Sequence, residues 1–259
     1  QDWYLIPDKK PVPAFIDTTR VIRVPVKKII CMSTTHIAMI SALGEAGSVS
    51  GFSGLRFLYS ADLLEKAENG VIREIGYEDN LNKELILKLD PELVMVYGIG
   101  SESNSYIGKL KELGVKILYN ADYLETDPLG KAEWIKMMGA LYSKEHMADS
   151  IFRTIVMEYE RIKTHIAKNA DSRPKVLLGL PFRDTWYISP GNSYISELIE
   201  DAGGEYLWRN IESGFSMPVG LENVYIKALS ADYWLNTGTA LTKDQIIAID
   251  SRFARLPCF

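Results

Sequence analysis

The sequence predicts an α/β protein in which two parallel-sheet lobes are joined by one long helix. Three observations predict this class: short apolar strands alternate with amphipathic helices early in the chain, a strand-free stretch follows, and the alternation then resumes. We therefore predict an N-terminal lobe over 1–126, a helical connector over 127–170 and a C-terminal lobe over 171–259. A ligand cleft is expected between the lobes.

The first lobe begins with an edge segment over 1–28 that is rich in proline and basic residues. "KIICMS" predicts the first core strand, and Thr34 or Thr35 can cap the helix that follows it. Further strands are predicted at "SVSGFSG", "ELVMVYG" and "VKILYN". Between them, "NKELILKLD" and "SYIGKLKELG" have the spacing of amphipathic helices.

The connector contains one long helical segment that begins at Ser143. It has acidic residues near its front and lysine near its end, which suits the helix dipole. We expect about 25 residues, or roughly 37 Å at 1.5 Å rise per residue. A helix of this length between two strand-rich regions is interpreted as a rigid connector.

The second lobe repeats the plan of the first. "KVLLGLP" predicts a strand, "FRDTWYISPGN" a loop, and "SYISELIEDAGG" a helix that Ser193 caps and Gly203-Gly204 ends. A strand at "EYLW", a polar loop, a helix at "ENVYIKAL" and a strand at "DYWLNTG" follow. A lobe matching the first would need another strand and a closing helix, so we expect this lobe to be truncated at Phe259.

Composition excludes several classes of function. The net charge is −5 and the basic residues are dispersed, so we expect no nucleic-acid partner. No apolar run reaches the roughly 18–20 residues that span a bilayer. The chain has no signal peptide and begins at Gln1, which we interpret as a processed or trimmed N-terminus. Cys31 and Cys258 belong to no metal or redox motif.

Motifs of catalysis are missing from the sequence. There is no GxSxG, P-loop or HExxH, so we predict no catalytic residue and no resident metal site. His146 and His165 fall on the predicted connector helix and are interpreted as surface residues. His36 lies at the first turn of a helix after a strand, where it can contact a ligand, cap the helix or pack at the edge of the core.

Loop residues at the carboxyl ends of the predicted strands are the candidate ligand-binding residues. Aromatic and arginine side chains that meet in one cleft suit a large, partly apolar and anionic ligand. The alternative is that several of them only seal the base of each sheet. The candidates are Thr34, Thr35, His36, Ser53, Arg56, Tyr77 and Tyr97 in the first lobe and Arg183, Trp186, Tyr187 and Phe215 in the second.

A similar stretch occurs twice: "GYEDNLNKELILKLDPELVMVYG" and "PVGLENVYIKALSADYWLNTG". Each reads as a polar turn, a helix with a glutamate at its start, an acidic turn and a strand that ends in glycine. Glu84 and Glu222 are these glutamates, and a helix dipole alone would favour a carboxylate there. The second helix region is two residues longer before its acidic turn, so the correspondence is imperfect.

Taken in order, several stretches resemble the ABC-importer substrate-binding proteins for cobalamin, iron–siderophore and haem. They are "KKIICMSTTHIAMISALG", "NKELILKLDPELVMVYG", "LKELGVKILYN", "DPLGKAEWIKMMGALY", "SPGNSYISELIEDAGGEYLW" and "LENVYIKALSADYWLN". The resemblance covers the chain from about residue 20. It implies two α/β lobes bridged by a rigid helix, and one docking glutamate on each lobe, at Glu84 and Glu222, for the permease.

The resemblance implies a non-catalytic, monomeric binding protein that is periplasmic or lipid-anchored outside the cytoplasmic membrane. It would deliver an iron–siderophore, haem or related metal chelate to the permease dimer of an ABC importer, with no intrinsic cofactor. A corrinoid is the alternative ligand, and a bare divalent cation is disfavoured because one histidine is too few for a nitrogen-rich site. The alternative class is a two-lobed α/β enzyme that acts on a small molecule.

Overall fold

The computed structural model describes residues 2–77, 80–98, 101–169, 172–238 and 240–259, with the backbone alone for 101–106. The chain divides into two compact units. Unit 1 comprises Gln1–Leu124 and Ala132–Arg153, and unit 2 comprises Glu125–Lys131 and Thr154–Phe259. The three-part division predicted from the sequence stays a prediction.

Strands and helices alternate along the chain, as predicted, with further elements in segments for which no helix or strand was predicted. The strands are β1 (Tyr4–Pro7), β2 (Val21–Val24), β3 (Ile29–Cys31), β4 (Val49–Phe52), β5 (Arg73–Glu74), β6 (Leu93–Val96), β7 (Ile117–Tyr119), β8 (Lys175–Leu178), β9 (Thr185–Ile188), β10 (Glu205–Tyr206), β11 (Met217–Gly220) and β12 (Tyr233–Leu235). The helices are α1 (Thr34–Ala42), α2 (Ala61–Glu68), α3 (Lys83–Leu89), α4 (Ser101–Glu112), α5 (Pro128–Glu133), α6 (Ile135–Leu141), α7 (Glu145–Asn169), α8 (Tyr194–Asp201), α9 (Leu221–Ala228) and α10 (Lys243–Ile249).

Unit 1 is built on a parallel five-stranded sheet in the order β5-β4-β3-β6-β7. Its central strand β3 pairs with β4 on one side and β6 on the other, so that Cys31 lies between Phe52 and Met95. Strand β1 pairs in parallel with β2 in a separate two-stranded sheet. Strands β3 and β6 are buried on both faces, which explains why their sequences are continuously apolar.

Helices cover both faces of this sheet. On one face, Ile29 and Cys31 join a core to which α1, α2 and α6 also contribute. On the other face, Ile30 joins a second core that contains Ile86 of α3 and Ile107 of α4. The alternation of β3 side chains between two cores follows from the two-residue repeat of a strand and defines a doubly wound sheet.

Unit 2 has a parallel three-stranded sheet in the order β10-β8-β12 and an antiparallel pair, β11-β9. One core, centred on Trp186, Tyr206 and Phe253, connects the two sheets. Helix α10 follows β12 and places Ile246 in this core.

The two units repeat a common arrangement. In unit 1 the first central strand, β3, lies between β4 and β6, and in unit 2 the corresponding strand, β8, lies between β10 and β12. Helix α1 precedes β4 as α8 precedes β10, and α3 precedes β6 as α9 precedes β12. The repeated sequence stretches therefore occupy equivalent positions in the connectivity of their sheets.

Four sequence expectations need correction. Ser33, rather than Thr34 or Thr35, caps α1, because its side chain accepts from the Thr35 backbone amide. The long helix α7 has the expected 25 residues but begins at Glu145, because Ser143 has a left-handed backbone, with φ of 53°. The other two corrections concern segments that were predicted as loops and contain strands β9 and β11. These strands satisfy each other's backbone groups across a long sequence separation, which local patterns do not show.

Candidate functional site

The carboxyl edge of the unit 1 sheet has a topological switch point between β3 and β6. The chain leaves β3 for α1 on one face of the sheet and leaves β6 for α4 on the opposite face. In open α/β sheets, ligands bind in the crevice that such diverging loops leave at the carboxyl ends of the strands. The candidate site of unit 1 is therefore built from the loops that follow β3, β4, β5, β6 and β7.

The loop after β3 presents small hydroxyl groups at this edge. The hydroxyls of Ser33 and Thr35 lie 2.9 Å apart, and the Ser33 hydroxyl also accepts from the Thr35 backbone amide. Thr34 is exposed and Thr35 is half-buried. The two predicted threonines thus lie on the first turn of α1, at this edge of the sheet.

His36 does not share that surface, since its side chain is fully buried. Burial lowers the pKa of its imidazole to about 4, and the Asp122 carboxylate and the Met95 carbonyl offset only part of this effect. No described residue makes a well-oriented hydrogen bond to either ring nitrogen. His36 is a neutral group beneath the loops, in the core-edge role that the sequence left open.

Arg56, Phe57 and Tyr77 form a compact stack after β4 and β5. The centre of the Arg56 guanidinium lies 4.8 Å from the Phe57 ring centroid and 5.2 Å from that of Tyr77. The two ring centroids are 5.4 Å apart, with the planes inclined at 56°. Arg56 is exposed and forms no ion pair with the described residues, so its charge faces solvent. The structure therefore brings two predicted candidates together and adds Phe57.

Tyrosines follow the next two strands at the same edge. Tyr97 comes directly after β6 and is half-buried. A Cβ atom on the next residue, Gly98, would lie 3.6 Å from the Tyr123 hydroxyl and 3.7 Å from the Tyr119 ring. Tyr119 ends β7 and is 37% exposed. Aromatic side chains thus continue along the carboxyl edge from β4 to β7.

Trp186 of unit 2 is a core residue. Its indole N–H donates to the Leu178 carbonyl at 3.1 Å, and its ring packs edge-on against Phe253. Its side chain is fully buried, so in this structure it offers no surface to a ligand. Trp186 thus anchors the last residue of β8, where the next loop begins, to the core.

That loop contains a tight turn with an arginine at its corner. Phe182 and Thr185 exchange two backbone hydrogen bonds, of 2.8 and 3.2 Å, and Arg183 stands between them with φ of 56°. A left-handed backbone is costly for a residue with a side chain. The Arg183 guanidinium lies 5.3 Å from the Phe182 ring centroid, and both side chains are exposed. As in unit 1, an arginine and an aromatic ring are stacked after a central strand.

The other two aromatic candidates of unit 2 are exposed. Tyr187 lies on β9 opposite Pro218 of β11 and is 54% exposed. Phe215 precedes β11 and is 82% exposed. Large apolar side chains with this exposure are available for contact with a ligand or partner.

Sequence reasoning missed Phe57, Phe182, Tyr119 and Tyr123, as well as Glu74 of β5. Phe57 and Phe182 are chain neighbours of the predicted Arg56 and Arg183, and that adjacency was an available signal. Glu74 had no such signal, because its role depends on backbone amides brought together by the fold. Ser53 is buried, and its hydroxyl donates to the Gly76 carbonyl at 2.8 Å, so it joins the loops after β4 and β5.

Glu84 and Glu222 occupy the same position in equivalent helices. Each is the second residue of its helix, α3 or α9, and each is exposed. The helix before a parallel strand begins at the carboxyl edge of the sheet, and the Asn82 amide indeed donates to the Ile75 carbonyl just after β5. Helix α9 is one residue longer than α3, and the connection from α9 to β12 is one residue longer than that from α3 to β6, which together account for the two-residue difference seen in the sequence.

Among the described residues, no group of three or more His, Cys, Asp or Glu side chains could hold a metal ion. Within those same ranges, no helix has the length and apolar character needed to cross a bilayer.

A family model described as periplasmic binding protein matches residues 29–257. The chain therefore belongs to the periplasmic binding protein family, a class of substrate-binding proteins rather than enzymes. The chain is 31% identical over 239 residues to an uncharacterized lipoprotein of Methanocaldococcus jannaschii, MJ0878, and 27% identical over 257 residues to a second, MJ0872. These alignments include 87% and 94% of this chain, which spans 56% and 64% of the length of the two relatives.

Solved structures with the same fold are more distant in sequence. A periplasmic heme binding protein from Pseudomonas aeruginosa has a TM-score of 0.71 at 14% identity, covering 90% of this chain and 81% of that one. The Vibrio cholerae heme binding protein HutB has a TM-score of 0.66 at 17% identity, over 89% and 86%. The Vibrio cholerae vitamin B12 binding protein BtuF has a TM-score of 0.60 at 16% identity, covering 90% of this chain and 84% of that one. These likenesses show the two-lobed periplasmic binding protein fold.

Proposed function

We propose that this protein is the substrate-binding component of an ABC importer and captures a metal chelate such as an iron–siderophore or haem. The aromatic and arginine side chains along the carboxyl edge of the unit 1 sheet carry this proposal. Aromatic faces suit a large unsaturated ligand, and guanidinium groups suit its anionic oxygens. Membership of a substrate-binding family and structural neighbours that bind heme and vitamin B12 support it.

Both units contribute contacts to the ligand in this proposal. From unit 1, the contacts come from Thr34, Thr35, Arg56, Tyr77 and Tyr97. From unit 2, the contacts come from Arg183, Tyr187 and Phe215. His36 and Trp186, which the sequence placed in the same set, support the loops from below. The protein itself needs no intrinsic cofactor, because the metal arrives with the ligand.

Helix α7 is proposed to act as a stiff connector. Its 25 residues belong partly to each unit, so the polypeptide passes from unit 1 to unit 2 within a continuous helix. A continuous helix resists bending where it lacks a proline or an inserted side chain, and the α7 sequence contains no proline. We expect modest closure on ligand binding rather than a wide hinge motion.

Delivery to the permease is proposed to use Glu84 and Glu222. In this proposal each unit presents one carboxylate to one subunit of a permease dimer. Charge pairs of this kind set the orientation and encounter rate of partners more than their affinity. We place the protein, as a monomer, in the periplasm or on a lipid anchor outside the cytoplasmic membrane. The names of the two lipoprotein relatives support the anchor.

A ligand panel tests the proposed function. The purified protein is titrated with iron(III) protoporphyrin, a ferric tris-catecholate, a neutral ferric trihydroxamate and cobalamin, and binding is followed by absorbance and native mass spectrometry. We expect one of these ligands to bind with one molecule per chain. If cobalamin alone binds, the proposed ligand becomes a corrinoid rather than an iron chelate. Failure to bind any of the four would overturn the proposal, and turnover of a small molecule would favour an enzyme.

A further inference from the structure

The loop after β4 is held in place by a carboxylate from the neighbouring strand β5. One oxygen of Glu74 accepts hydrogen bonds from the backbone amides of Gly54 at 3.0 Å and Gly76 at 2.8 Å. Its other oxygen accepts from the Leu55 amide at 2.7 Å. Glu74 therefore ties the backbone before Arg56 to the backbone before Tyr77.

This arrangement directs the Glu74 carboxylate to backbone amides rather than to the Arg56 guanidinium. The Glu74 oxygens are occupied by amide donors, and Arg56 has no ion-pair partner in the part of the chain that the structure describes. A carboxylate in an ion pair with Arg56 would have cancelled the guanidinium charge. Here the carboxylate shapes the loop while the cation remains available to a ligand.

Gly54 allows the aromatic rings to close over the loop. Its φ of 84° is left-handed, and a Cβ atom would lie 2.7 Å from the Phe57 ring and 3.2 Å from the Tyr77 ring. The rings thus occupy the space that a side chain would need. They hold the guanidinium in one orientation before any ligand arrives, which reduces the entropy lost on binding.

We propose that Arg56 is a preorganised receptor for a pair of anionic oxygens on the ligand, and that Glu74 is its positioning residue. The proposal rests on the proposed function and narrows the ligand to chelates that carry a carboxylate or catecholate group. A planar guanidinium can form two parallel hydrogen bonds to such an oxygen pair. A neutral ferric trihydroxamate has no net negative charge and would leave the guanidinium without a counter-charge.

Matched ligands test the class of anion. Iron(III) protoporphyrin with free propionates is compared with its dimethyl ester, and a ferric tris-catecholate with a neutral ferric trihydroxamate. We expect at least one anionic ligand to bind ten-fold or more tightly than its neutral counterpart. The porphyrin pair reports a carboxylate, and the siderophore pair reports a catecholate.

Variants of Arg56 test the receptor itself. Arg56→Gln should weaken binding of the anionic ligand by about 10- to 100-fold, the range of one charge-assisted pair, and Arg56→Lys should weaken it less. Binding of a neutral ligand should change by less than about two-fold. Arg255→Gln makes the same change of charge at an exposed position of unit 2 and should leave both affinities unchanged.

Glu74→Gln separates positioning from simple charge. Removing a negative charge close to Arg56 would by itself tighten anion binding, whereas loss of an amide acceptor should loosen the loop and weaken it. Glu74→Gln should weaken anion binding by five-fold or more. When the protein already carries Arg56→Gln, adding Glu74→Gln should cause no further loss of affinity. Glu68→Gln, an exposed glutamate of α2, is the charge-matched control.

Three results would overturn the inference: a neutral chelate that binds tightest, an Arg56→Gln effect of equal size on neutral and anionic ligands, or tighter anion binding in Glu74→Gln. A neutral chelate that binds tightest leaves the proposed function standing while the anion receptor fails. Loss of binding to every chelate in the panel removes the proposed function together with the receptor. The two failures are therefore distinguishable.

Discussion

Trp186 and Trp234 donate their indole N–H groups to consecutive carbonyls at the end of β8. Trp186 donates to Leu178 at 3.1 Å and Trp234 to Gly179 at 2.7 Å, and the two ring centroids lie 5.8 Å apart. Two rigid side chains thus hold the start of the loop that carries Arg183. The position of an exposed arginine in unit 2 therefore depends on one buried and one half-buried tryptophan at the start of its loop.

Replacing Trp234 by phenylalanine should destabilise unit 2. The change removes the hydrogen bond to Gly179 and part of the packing against Phe253, at a cost of about 1–3 kcal/mol. Urea unfolding followed by circular dichroism measures this change in the free energy of unfolding. Tyr233→Phe removes an exposed hydroxyl from the neighbouring position and should change it by less than about 0.5 kcal/mol. Equal effects of the two variants would contradict the role of the indole hydrogen bond.

Two glycines in helices should respond oppositely to alanine. Gly139 of α6 is buried, and a Cβ atom there would lie 2.5 Å from the Ala148 Cβ of α7 and 3.2 Å from the Lys144 carbonyl oxygen. Gly139→Ala should therefore destabilise the protein by about 1–3 kcal/mol through overpacking. Gly108 of α4 has open space at the same position, so Gly108→Ala should stabilise it by about 0.5–1 kcal/mol. Thermal unfolding compares the two, and a stabilised Gly139→Ala would contradict the close contact.

Acid should destabilise unit 1 through His36. The unfolded chain binds a proton at the ordinary histidine pKa of 6.5, while burial lowers the pKa in the folded state to about 4. The stability that depends on neutral His36 is therefore complete above pH 6.5 and is lost as the pH falls toward 4. At about 1.4 kcal/mol per pKa unit, the loss reaches about 3 kcal/mol.

Unfolding free energies measured between pH 7.5 and 4 test this dependence. His36→Gln should flatten the profile, although the substitution lowers stability at neutral pH by disturbing the core. His146→Gln, at an exposed position of α7, is the control and should keep the slope of the parent protein. An unchanged slope in His36→Gln would place the acid sensitivity on other groups.

The docking proposal predicts a separation of transport from binding. Glu84→Ala combined with Glu222→Ala should abolish uptake in cells or permease vesicles, because the two orienting charges are lost, while ligand affinity stays within about two-fold. Glu68→Ala with Glu212→Ala removes two other exposed glutamates and should leave uptake intact. Reduced ligand affinity in the Glu84 and Glu222 double variant would instead place these side chains in the ligand site.

Most of the α/β order was predictable from the sequence, and the reasons are local. Apolar runs such as Leu93–Val96 are typical of strands buried on both faces, and Ser193 caps α8 as expected. The cap of α1 was assigned one or two residues late because Ser33, Thr34 and Thr35 are all competent caps. Strands β9 and β11 were missed because their stability comes from pairing with each other.

The candidate site was predictable only as a set of positions after strands. Arg56 and Tyr77 do meet, but nothing in the sequence distinguished exposed Tyr187 from buried Trp186, which are adjacent on β9. Strand alternation places one of them in the core and the other on the surface, and the register with β11 decides which.

The sequence by itself determined the succession of strands and helices and the repeat of the two units, because hydrophobic periodicity and helix caps act over a few residues. Only the tertiary structure decided which side chains share a surface. Glu74 reaches the amides of Gly54 and Leu55 across about twenty residues of intervening chain, and the Arg56 stack depends on those hydrogen bonds. Contacts of this kind arise from the parallel pairing of β4 and β5, which brings distant loops to one edge.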